Sequence, residues 1–250
     1  MSTIVLFDMD GTLTEPREMM QENMVKAIFE LLSKTEFEVG IVTGSDFDYV
    51  LQQCAPLFDW SVVDTRRIHI FPWNTKIGAY ENTYAVDMTN KLGRDNYNTI
   101  LSSCLKYQSL ISKDYDLPYT GTFFHYRGSM LNWCPIGRNA NSGERLLWVE
   151  ADEQHKIREH FLKLLVKDID DAGISATVAL GGSTSFDIYP DGWDKTYVTK
   201  HLQDYNMFFI GDKCTGTGND RALYDMLQPD NSRETLNPSM TIELIKEITN

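Results

Sequence analysis

Two acidic side chains, Asp8 and Asp10, stand one residue apart in the segment FDMDGTLT, directly after a run of apolar residues. An isolated pair of this kind at the end of a strand is most often part of a turn or a helix cap. The longer motif DxDGTLT is more specific, and the chain later adds Lys195 and an acidic turn that holds Asp212 and Asp220. Carboxylates and a lysine in this order indicate chemistry on a phosphate group.

Each of these residue types has a use in phosphoryl transfer. A carboxylate is ionised at neutral pH and can attack phosphorus, which forms an acyl phosphate and divides one difficult transfer into two steps. A second carboxylate, two residues on, can protonate the leaving oxygen and later deprotonate the acceptor. The oxygen-rich cluster suits a hard cation, and Mg²⁺ is the usual partner of phosphate. Lys195 would add positive charge beside the transferring group.

The elements that must position these side chains follow from the apolar pattern. Residues 4–7 form a continuous apolar run, which is typical of a strand covered on both faces. Residues 20–31 carry apolar side chains at helical spacing, and residues 37–42 predict a second strand that ends in the turn TGSD. Asp46 is predicted to cap the helix that follows. This order indicates a right-handed βαβ unit, whose ligands bind beyond the carboxyl ends of the strands.

The end of the chain continues the same pattern. Residues 207–210 predict another buried strand, and the turn GDKCTGTGND follows it. Helices are predicted from Arg221 to Leu227 and at residues 240–248. Residues 228–238 are interpreted as a loose loop.

The middle of the chain has a different composition. Residues 97–105 and 157–165 each predict a helix, and the segment GTFFHYRGSMLNWCPIGR between them is rich in β-forming residues. Residues 174–188 alternate apolar and polar side chains, which favours an antiparallel sheet with one open face. We predict an α/β protein with a Rossmann-like parallel-sheet core and an inserted two-helix α+β cap. The predicted domains are 1–84 (core), 85–190 (cap) and 191–250 (core).

Composition excludes several classes of function. A formal net charge of -13 opposes broad binding to nucleic acid or to anionic membranes. The four cysteines are far apart and form no C-x-x-C pair, so neither a disulfide framework nor a zinc site is indicated. The sequence has no apolar stretch of membrane-spanning length and no signal peptide pattern. We therefore expect a cytoplasmic protein.

The motifs resemble those of the haloacid dehalogenase superfamily of phosphotransferases. Longer segments are similar to the eukaryotic-type phosphomannomutases, and the similarity spans essentially the whole chain. The segments are FDMDGTLT, GTFFHYRGSMLNWCPIGR, SFDIYPDGWDKTY and FFIGDK with the later GND. The resemblance implies the haloacid dehalogenase fold, Mg²⁺ as cofactor, hexose 1,6-bisphosphate as activator, and dimers formed through the caps.

The resemblance also implies a role for individual residues. Asp8 would be the phosphorylated nucleophile and Asp10 the general acid/base. Mg²⁺ would be held by Asp8, by the backbone carbonyl of Asp10 and by Asp212, with Asp220 close by. The following residues would bind substrate or phosphate: Arg17, Thr43, Ser45, Arg127, Asn132, Arg138, Arg145, Ser185, Asp187 and Lys195.

Three departures from the family pattern affect these expectations. The segment FPWNTKIGAY replaces an acidic-asparagine-glycine turn, Cys134 replaces a usual serine, and Thr43 stands where glycine is common. Because of the last departure, the sequence leaves open whether Thr43 or Ser45 donates to the transferring phosphate.

The activity that the resemblance implies is interconversion of mannose 6-phosphate and mannose 1-phosphate, with glucose analogues as further substrates, in supply of GDP-mannose. One alternative is a sugar-phosphate phosphatase on the same scaffold, in which water always takes the phosphoryl group. Another is a non-catalytic phosphosugar-binding protein, although binding alone does not require the full set of acids and Lys195. A dinucleotide-binding protein is less favoured because TGTGND lacks the G-x-G-x-x-G spacing.

Overall fold

The computed structural model describes residues 2–45, 47–58, 68–72, 86–216, 218–227 and 230–249, with the backbone alone for residues 47 and 68–72. The strands are β1 (Thr3–Phe7), β2 (Phe37–Thr43), β3 (Ile68–Pro72), β4 (Phe124–Tyr126), β5 (Leu131–Trp133), β6 (Ala176–Gly181), β7 (Ser185–Pro190), β8 (Asn206–Gly211) and β9 (Ser232–Glu234). The helices are α1 (Glu22–Ser33), α2 (Phe47–Gln53), α3 (Ala55–Phe58), α4 (Met88–Leu92), α5 (Arg94–Asp114), α6 (Ser142–His155), α7 (Ile157–Asp171), α8 (Arg221–Leu227), α9 (Pro238–Thr249) and a 3₁₀ helix at Lys195–His201.

The chain divides into two compact units. The core unit comprises Met1–Ala85 and Asp194–Asn250, and the cap unit comprises Val86–Trp193. The predicted boundaries, at 84/85 and 190/191, differ from these by one and three residues. The domain division stays a prediction, since the first boundary adjoins residues 73–85, which lie outside the described part of the chain.

A parallel sheet forms the centre of the core unit, with the described strands in the order β3-β2-β1-β8-β9. The apolar run of β1 explains its central position, because alternate side chains of a strand point to opposite faces. Val5 and Phe7 pack in one apolar cluster, together with Ile28 of α1. Ile4 and Leu6 pack in another. Burial on both faces was the prediction for this strand, and it is confirmed.

Two strands of this sheet were not predicted. β9 lies within the segment interpreted as a loose loop, and that interpretation is wrong, because β9 pairs in parallel with β8 and α9 begins at Pro238. The sequence of β9, Ser-Arg-Glu, has no apolar residue that would signal a strand. β3 pairs in parallel with β2. Asp46, the predicted cap of α2, lies outside the described residues, and Leu51 on α2 is exposed rather than packed.

The cap unit contains an antiparallel sheet with the described strands in the order β4-β5-β7-β6. Leu131 of β5 lies opposite Ile188 of β7. The ring of Trp133 is stacked on Phe186 with 4.5 Å between ring centroids. The predicted antiparallel sheet and the α+β character of this unit are confirmed.

The expectation of two helices in the cap is wrong, since α4 and α6 accompany the predicted α5 and α7. The apolar pattern missed α6 because Leu146 and Leu147 are exposed on it. Its sequence signal is a capping box: the Asn141 side chain accepts from the Glu144 backbone, and the Glu144 side chain accepts from the Asn141 backbone.

Two further observations concern the chain as a whole. Within the described ranges, no helix is both long enough and apolar enough to cross a lipid bilayer. Each of the four cysteines is buried as a free thiol.

Candidate active site

Asp8 and Asp212 follow neighbouring strands of the core sheet. Phe7, the last residue of β1, is paired with Ile210 of β8, and the Asp8 amide donates to the Ile210 carbonyl at 3.0 Å. Asp212 comes directly after β8. The carboxyl ends of parallel strands lie at one edge of a sheet, so both acids are held at this edge by strand pairing.

A third acid, Asp220, joins them from the turn after β8. Carboxylate oxygens of Asp8, Asp212 and Asp220 lie within 4.8 Å of one another. The Asp220 side chain accepts from the Lys213 amide at 3.0 Å, which closes the turn. The ammonium group of Lys195, at the start of the 3₁₀ helix, donates to both Asp8 Oδ1 and Asp220 Oδ1. Lys195 is therefore a buried cation inside the acidic cluster.

The electrostatics of this cluster follow from burial and from its excess of acids. Burial raises the pKa of Asp8 from 3.8 to about 7; Lys195 opposes this rise, and the charges of Asp220 and Asp212 add to it. Burial by itself would lower the pKa of Lys195, but the carboxylates of Asp220 and Asp8 outweigh it and raise that pKa. Burial also raises the pKa of Asp212, against the attraction of Lys213. Lys195 therefore stays charged, and its single positive charge does not neutralise all three carboxylates.

The cluster fits a divalent cation. Three ionised carboxylates and one ammonium group would sum to a charge of -2. The Asp212 Oδ1 atom is buried and accepts no hydrogen bond from the described residues. Three carboxylates are a donor set that Mg²⁺ prefers. The side chain of Asp10 is not in this group, and the ligand expected from Asp10 was its backbone carbonyl.

A tight turn between Asp8 and α1 brings the chain against Asp212. The Met9 carbonyl accepts from the Thr12, Leu13 and Thr14 amides. Gly11 has a φ of +86°, in the region that favours glycine, and a Cβ atom there would lie 2.5 Å from Asp212 Oδ2. The glycine of the DxDGT motif therefore lets the backbone pass the acidic cluster.

Asp10 is positioned by a tyrosine that sequence reasoning missed. Tyr49 of α2 donates its hydroxyl to Asp10 Oδ1 at 3.1 Å, and the Arg17 amide donates to the same oxygen at 3.3 Å. Burial, and then the charge of Asp10, raises the pKa of Tyr49. The phenol thus remains a proton donor at neutral pH. No motif marks Tyr49; its signal is the helix that begins beside the carboxyl end of β2.

The other predicted core residues lie around this edge. Thr43 ends β2 and is buried, and its hydroxyl accepts from the Ser45 amide at 3.1 Å. This hydrogen bond joins Thr43 and Ser45, and it does not show which of them would donate to the transferring phosphate. The Arg17 side chain is exposed, and its backbone has a φ of +68°.

In the cap unit, the structure connects three of the predicted residues. Asn132 of β5 lies opposite Asp187 of β7 and donates to Asp187 Oδ1 at 2.7 Å. Arg138 donates to Asn132 Oδ1 at 3.0 Å. The chain of bonds Arg138–Asn132–Asp187 therefore fixes a guanidinium group, an amide and a carboxylate along one face of neighbouring strands.

Arg145 stands in the first turn of α6 and is tied to Arg138. Its guanidinium donates to the carbonyls of Ala140 and Arg138, each at 3.1 Å, and to the Thr184 hydroxyl at 2.8 Å. Arg127 lies between β4 and β5, buried, with its Nε 3.4 Å from His125 Nδ1. Ser185, also buried, begins β7 beside Thr184.

The model of the eukaryotic phosphomannomutase family matches residues 24–250. This chain belongs to that family. A Saccharomyces cerevisiae phosphomannomutase is 34% identical, with 99% of this chain and 94% of that protein covered. Dictyostelium discoideum phosphomannomutase 2 is 32% identical, with 98% and 96% covered.

Solved structures show the fold. N-terminally truncated Plasmodium falciparum IMP-nucleotidase has a TM-score of 0.68 at 16% identity, with 99% of this chain and 70% of that chain covered. The C-terminal domain of Candida albicans trehalose-6-phosphate phosphatase has a TM-score of 0.60 at 14% identity, with 99% and 92% covered. The predicted haloacid dehalogenase fold, a Rossmann-like core with an α+β cap, is confirmed.

For this member of the phosphomannomutase family, the motif residues fall into two sets. In the core, Asp8, Lys195, Asp212 and Asp220 form one cluster, with Asp10 adjoining it in sequence. In the cap, hydrogen bonds join Arg138, Arg145, Asn132 and Asp187. The segment FPWNTKIGAY, which departs from the family pattern, lies mostly outside the described residues.

Proposed function

We propose that this protein is a phosphomannomutase that interconverts mannose 6-phosphate and mannose 1-phosphate. The observation that carries the proposal is the family match over residues 24–250. The corresponding glucose phosphates are proposed as further substrates, and GDP-mannose synthesis as the use of the product.

The proposed reaction begins at Asp8. Lys195 binds Oδ1 of this carboxylate, so Oδ2 is the proposed attacking atom. As the bond from Oδ2 to one phosphorus of the hexose 1,6-bisphosphate forms, the bond from that phosphorus to the sugar oxygen breaks, and an aspartyl phosphate and a hexose monophosphate result. The ammonium group of Lys195 lies beside the charge that develops on the transferring group.

Asp10 is the proposed general acid and base. Its Oδ1 accepts from Tyr49 and from the Arg17 amide, which leaves Oδ2 to carry the proton. Asp10 would give this proton to the leaving sugar oxygen. In the second half of the reaction it would take a proton from the hydroxyl that attacks the aspartyl phosphate. The same group serves both directions, as a mutase requires.

A mutase must also hold the phosphate that is not reacting. The intermediate is a hexose 1,6-bisphosphate, formed when a substrate hydroxyl takes the phosphoryl group from Asp8, and it has to turn around before Asp8 can attack its other phosphate. We assign this second phosphate to Arg127, Arg138 and Arg145, because guanidinium groups bind phosphate with two parallel hydrogen bonds. Asn132, Ser185 and Asp187 are assigned to the sugar and its phosphate.

Mg²⁺ is the proposed cofactor, held by Asp8, Asp212 and the Asp10 carbonyl, with Asp220 beside them. It would supply positive charge to the phosphoryl oxygens and offset the excess of carboxylates. Hexose 1,6-bisphosphate is the proposed activator, since it can phosphorylate Asp8 before the first turnover.

The location, oligomeric state and partners of the enzyme are proposed from the family resemblance. We propose a cytoplasmic homodimer formed through the caps, with hexose phosphates as its ligands and neither nucleic acid nor membrane as a partner. The formal net charge of -13 supports the last point.

The experiment that tests the function follows phosphorus by NMR. Purified protein is incubated with Mg²⁺, mannose 1-phosphate and a trace of hexose bisphosphate. Formation of mannose 6-phosphate supports the mutase, inorganic phosphate as the main product supports a phosphatase, and an unchanged substrate supports a binding protein. Asp8→Asn is expected to abolish turnover with folding intact. The matched control is Asp204→Asn, which removes the same charge from an exposed turn and should leave activity unchanged.

A further inference from the structure

Thr184 is a buried residue of the β6–β7 turn whose hydroxyl group contacts two other segments of the cap. Only 3% of it is exposed to solvent. Its hydroxyl oxygen accepts two hydrogen bonds, one from Arg145 at 2.8 Å and one from the Cys134 thiol at 3.5 Å. The three residues come from three different segments: the β6–β7 turn, α6 and the residue after β5.

Three acceptors of the Arg145 guanidinium group lie in the described part of the chain, and they differ in kind. Two are the backbone carbonyls of Ala140 and Arg138, which are present whatever side chain stands at those positions. The third is the side-chain hydroxyl of Thr184, which a substitution can remove. Bonds to Nε and to both terminal nitrogens set the plane of the guanidinium group, and that plane decides which way it presents its fork to a phosphate.

Cys134 acts on the orientation of the Thr184 hydroxyl. A hydroxyl oxygen has two lone pairs and one hydrogen. With the thiol donating to one lone pair and Arg145 to the other, the Thr184 hydrogen is directed away from the guanidinium group. The thiol thereby favours the rotamer in which Thr184 is an acceptor for Arg145.

We propose that Thr184 is a positioning residue for phosphate binding by the cap, acting through Arg145, with Cys134 orienting its hydroxyl. This inference rests on the part of the proposed function that assigns a phosphate to Arg145. A positioned arginine loses less freedom when it binds an anion, so removal of the third acceptor weakens binding of the sugar phosphate.

The test compares Thr184→Val, which keeps the shape of the side chain without its hydroxyl, with Thr184→Ser, which keeps the hydroxyl. Binding of mannose 6-phosphate to the full-length protein is measured by calorimetry, and KM and kcat are measured with mannose 1-phosphate. A hydrogen bond to a charged group corresponds to about a tenfold change in affinity. Thr184→Val is expected to raise Kd and KM by about tenfold with kcat nearly unchanged, and Thr184→Ser to stay near wild type.

The same pair is then placed in an Arg145→Ala background. If Thr184 acts through Arg145, Thr184→Val causes no further loss there, because the group that it positions is absent. An equal loss in both backgrounds, or no recovery with Thr184→Ser, would mean that the residue only supports packing and would overturn the inference. Wild-type Kd and KM in Thr184→Val would do the same.

The role of Cys134 is tested with two variants of that residue. Cys134→Ala should weaken binding less than Thr184→Val does, since a thiol is a weak donor, and Cys134→Ser should retain wild-type binding. Wild-type affinity in Cys134→Ala would remove this residue from the proposal.

Failure of the inference and failure of the proposed function can be told apart. If no mannose 6-phosphate forms but sugar-phosphate binding is weakened in Thr184→Val and retained in Thr184→Ser, the result contradicts the mutase and supports the inference. Wild-type sugar-phosphate binding in Arg145→Ala overturns the inference, whichever product the enzyme makes.

Discussion

Asp8 is the proposed nucleophile, and its surroundings explain why an acid can be buried there. Only 5% of the residue is exposed, and two further carboxylates stand close to it. A single ammonium group, that of Lys195, contacts both Asp8 and Asp220. Burial raises the pKa of Asp8 to about 7, since the one cation does not balance the charges of the three acids. A divalent cation or a proton can relieve this imbalance.

This raised pKa predicts how the stability of the metal-free protein depends on pH. The pKa of Asp8 rises from 3.8 to about 7 in the folded state, so the folded protein binds this proton more tightly than the unfolded chain. The stabilisation is complete below pH 3.8 and is lost as the pH rises through 7. Its full size is on the order of 4 kcal/mol. Melting temperatures of wild type and Asp8→Asn, measured with a chelator from pH 5 to pH 8, test this.

The melting temperature of wild type should fall relative to that of Asp8→Asn as the pH rises. The asparagine side chain does not titrate, so the variant lacks this contribution. Parallel curves for the two proteins would show that Asp8 keeps an ordinary pKa.

At the scale of single elements, the turn at Gly11 decides how closely the backbone approaches the Asp212 carboxylate. The Gly11 turn passes so near Asp212 that a Cβ atom would lie 2.5 Å from its Oδ2. A side chain at that position would displace either the Asp212 carboxylate, which belongs to the acidic cluster, or the turn, which follows Asp8. The backbone φ of +86° adds strain for any residue other than glycine.

Gly11→Ala is therefore expected to lower kcat by tenfold or more and to lower the melting temperature. The matched control is Gly192→Ala, where φ is +75° and where, apart from the adjoining residues, no atom of the described residues lies within 4 Å of the added methyl group. This control tests strain alone, which costs about 1 kcal/mol, and should leave kcat unchanged. Equal effects of the two substitutions on kcat would contradict the role given to the Gly11 turn.

At the scale of the whole molecule, the residues of the proposed site are divided between two units. The core unit holds Asp8, Asp212, Asp220 and Lys195, and the cap unit holds Arg127, Arg138 and Arg145. A phosphatase needs the first set, whereas a mutase also needs groups for the second phosphate of its intermediate. Under the proposed function, the cap arginines would bear on the kind of reaction as well as on affinity.

Arg145→Ala is expected to lower kcat/KM for mannose 1-phosphate by about tenfold or more, because one charge-assisted bond to phosphate is lost. The share of inorganic phosphate among the products should rise, and both quantities come from the same NMR time course. Arg221→Ala, which removes an exposed arginine paired with Asp225 on α8, is the control and should behave as wild type. An unchanged kcat/KM in Arg145→Ala would exclude it from the phosphate site.

The amino-acid sequence by itself determined the family, the order of the main elements and the identity of the charged groups. Apolar runs such as β1 and motifs such as DxDGT depend on neighbours in the chain, which the sequence displays directly. The sequence also specified the antiparallel sheet of the cap through its alternating pattern.

Only the tertiary structure decided which groups meet. β9 pairs in parallel with β8, although its own residues carry no apolar signal. Tyr49 reaches Asp10, and Thr184 reaches both Cys134 and Arg145, across 39 or more residues of chain. Such contacts depend on strand pairing and helix placement between distant segments, so the position of these residues along the chain does not reveal them.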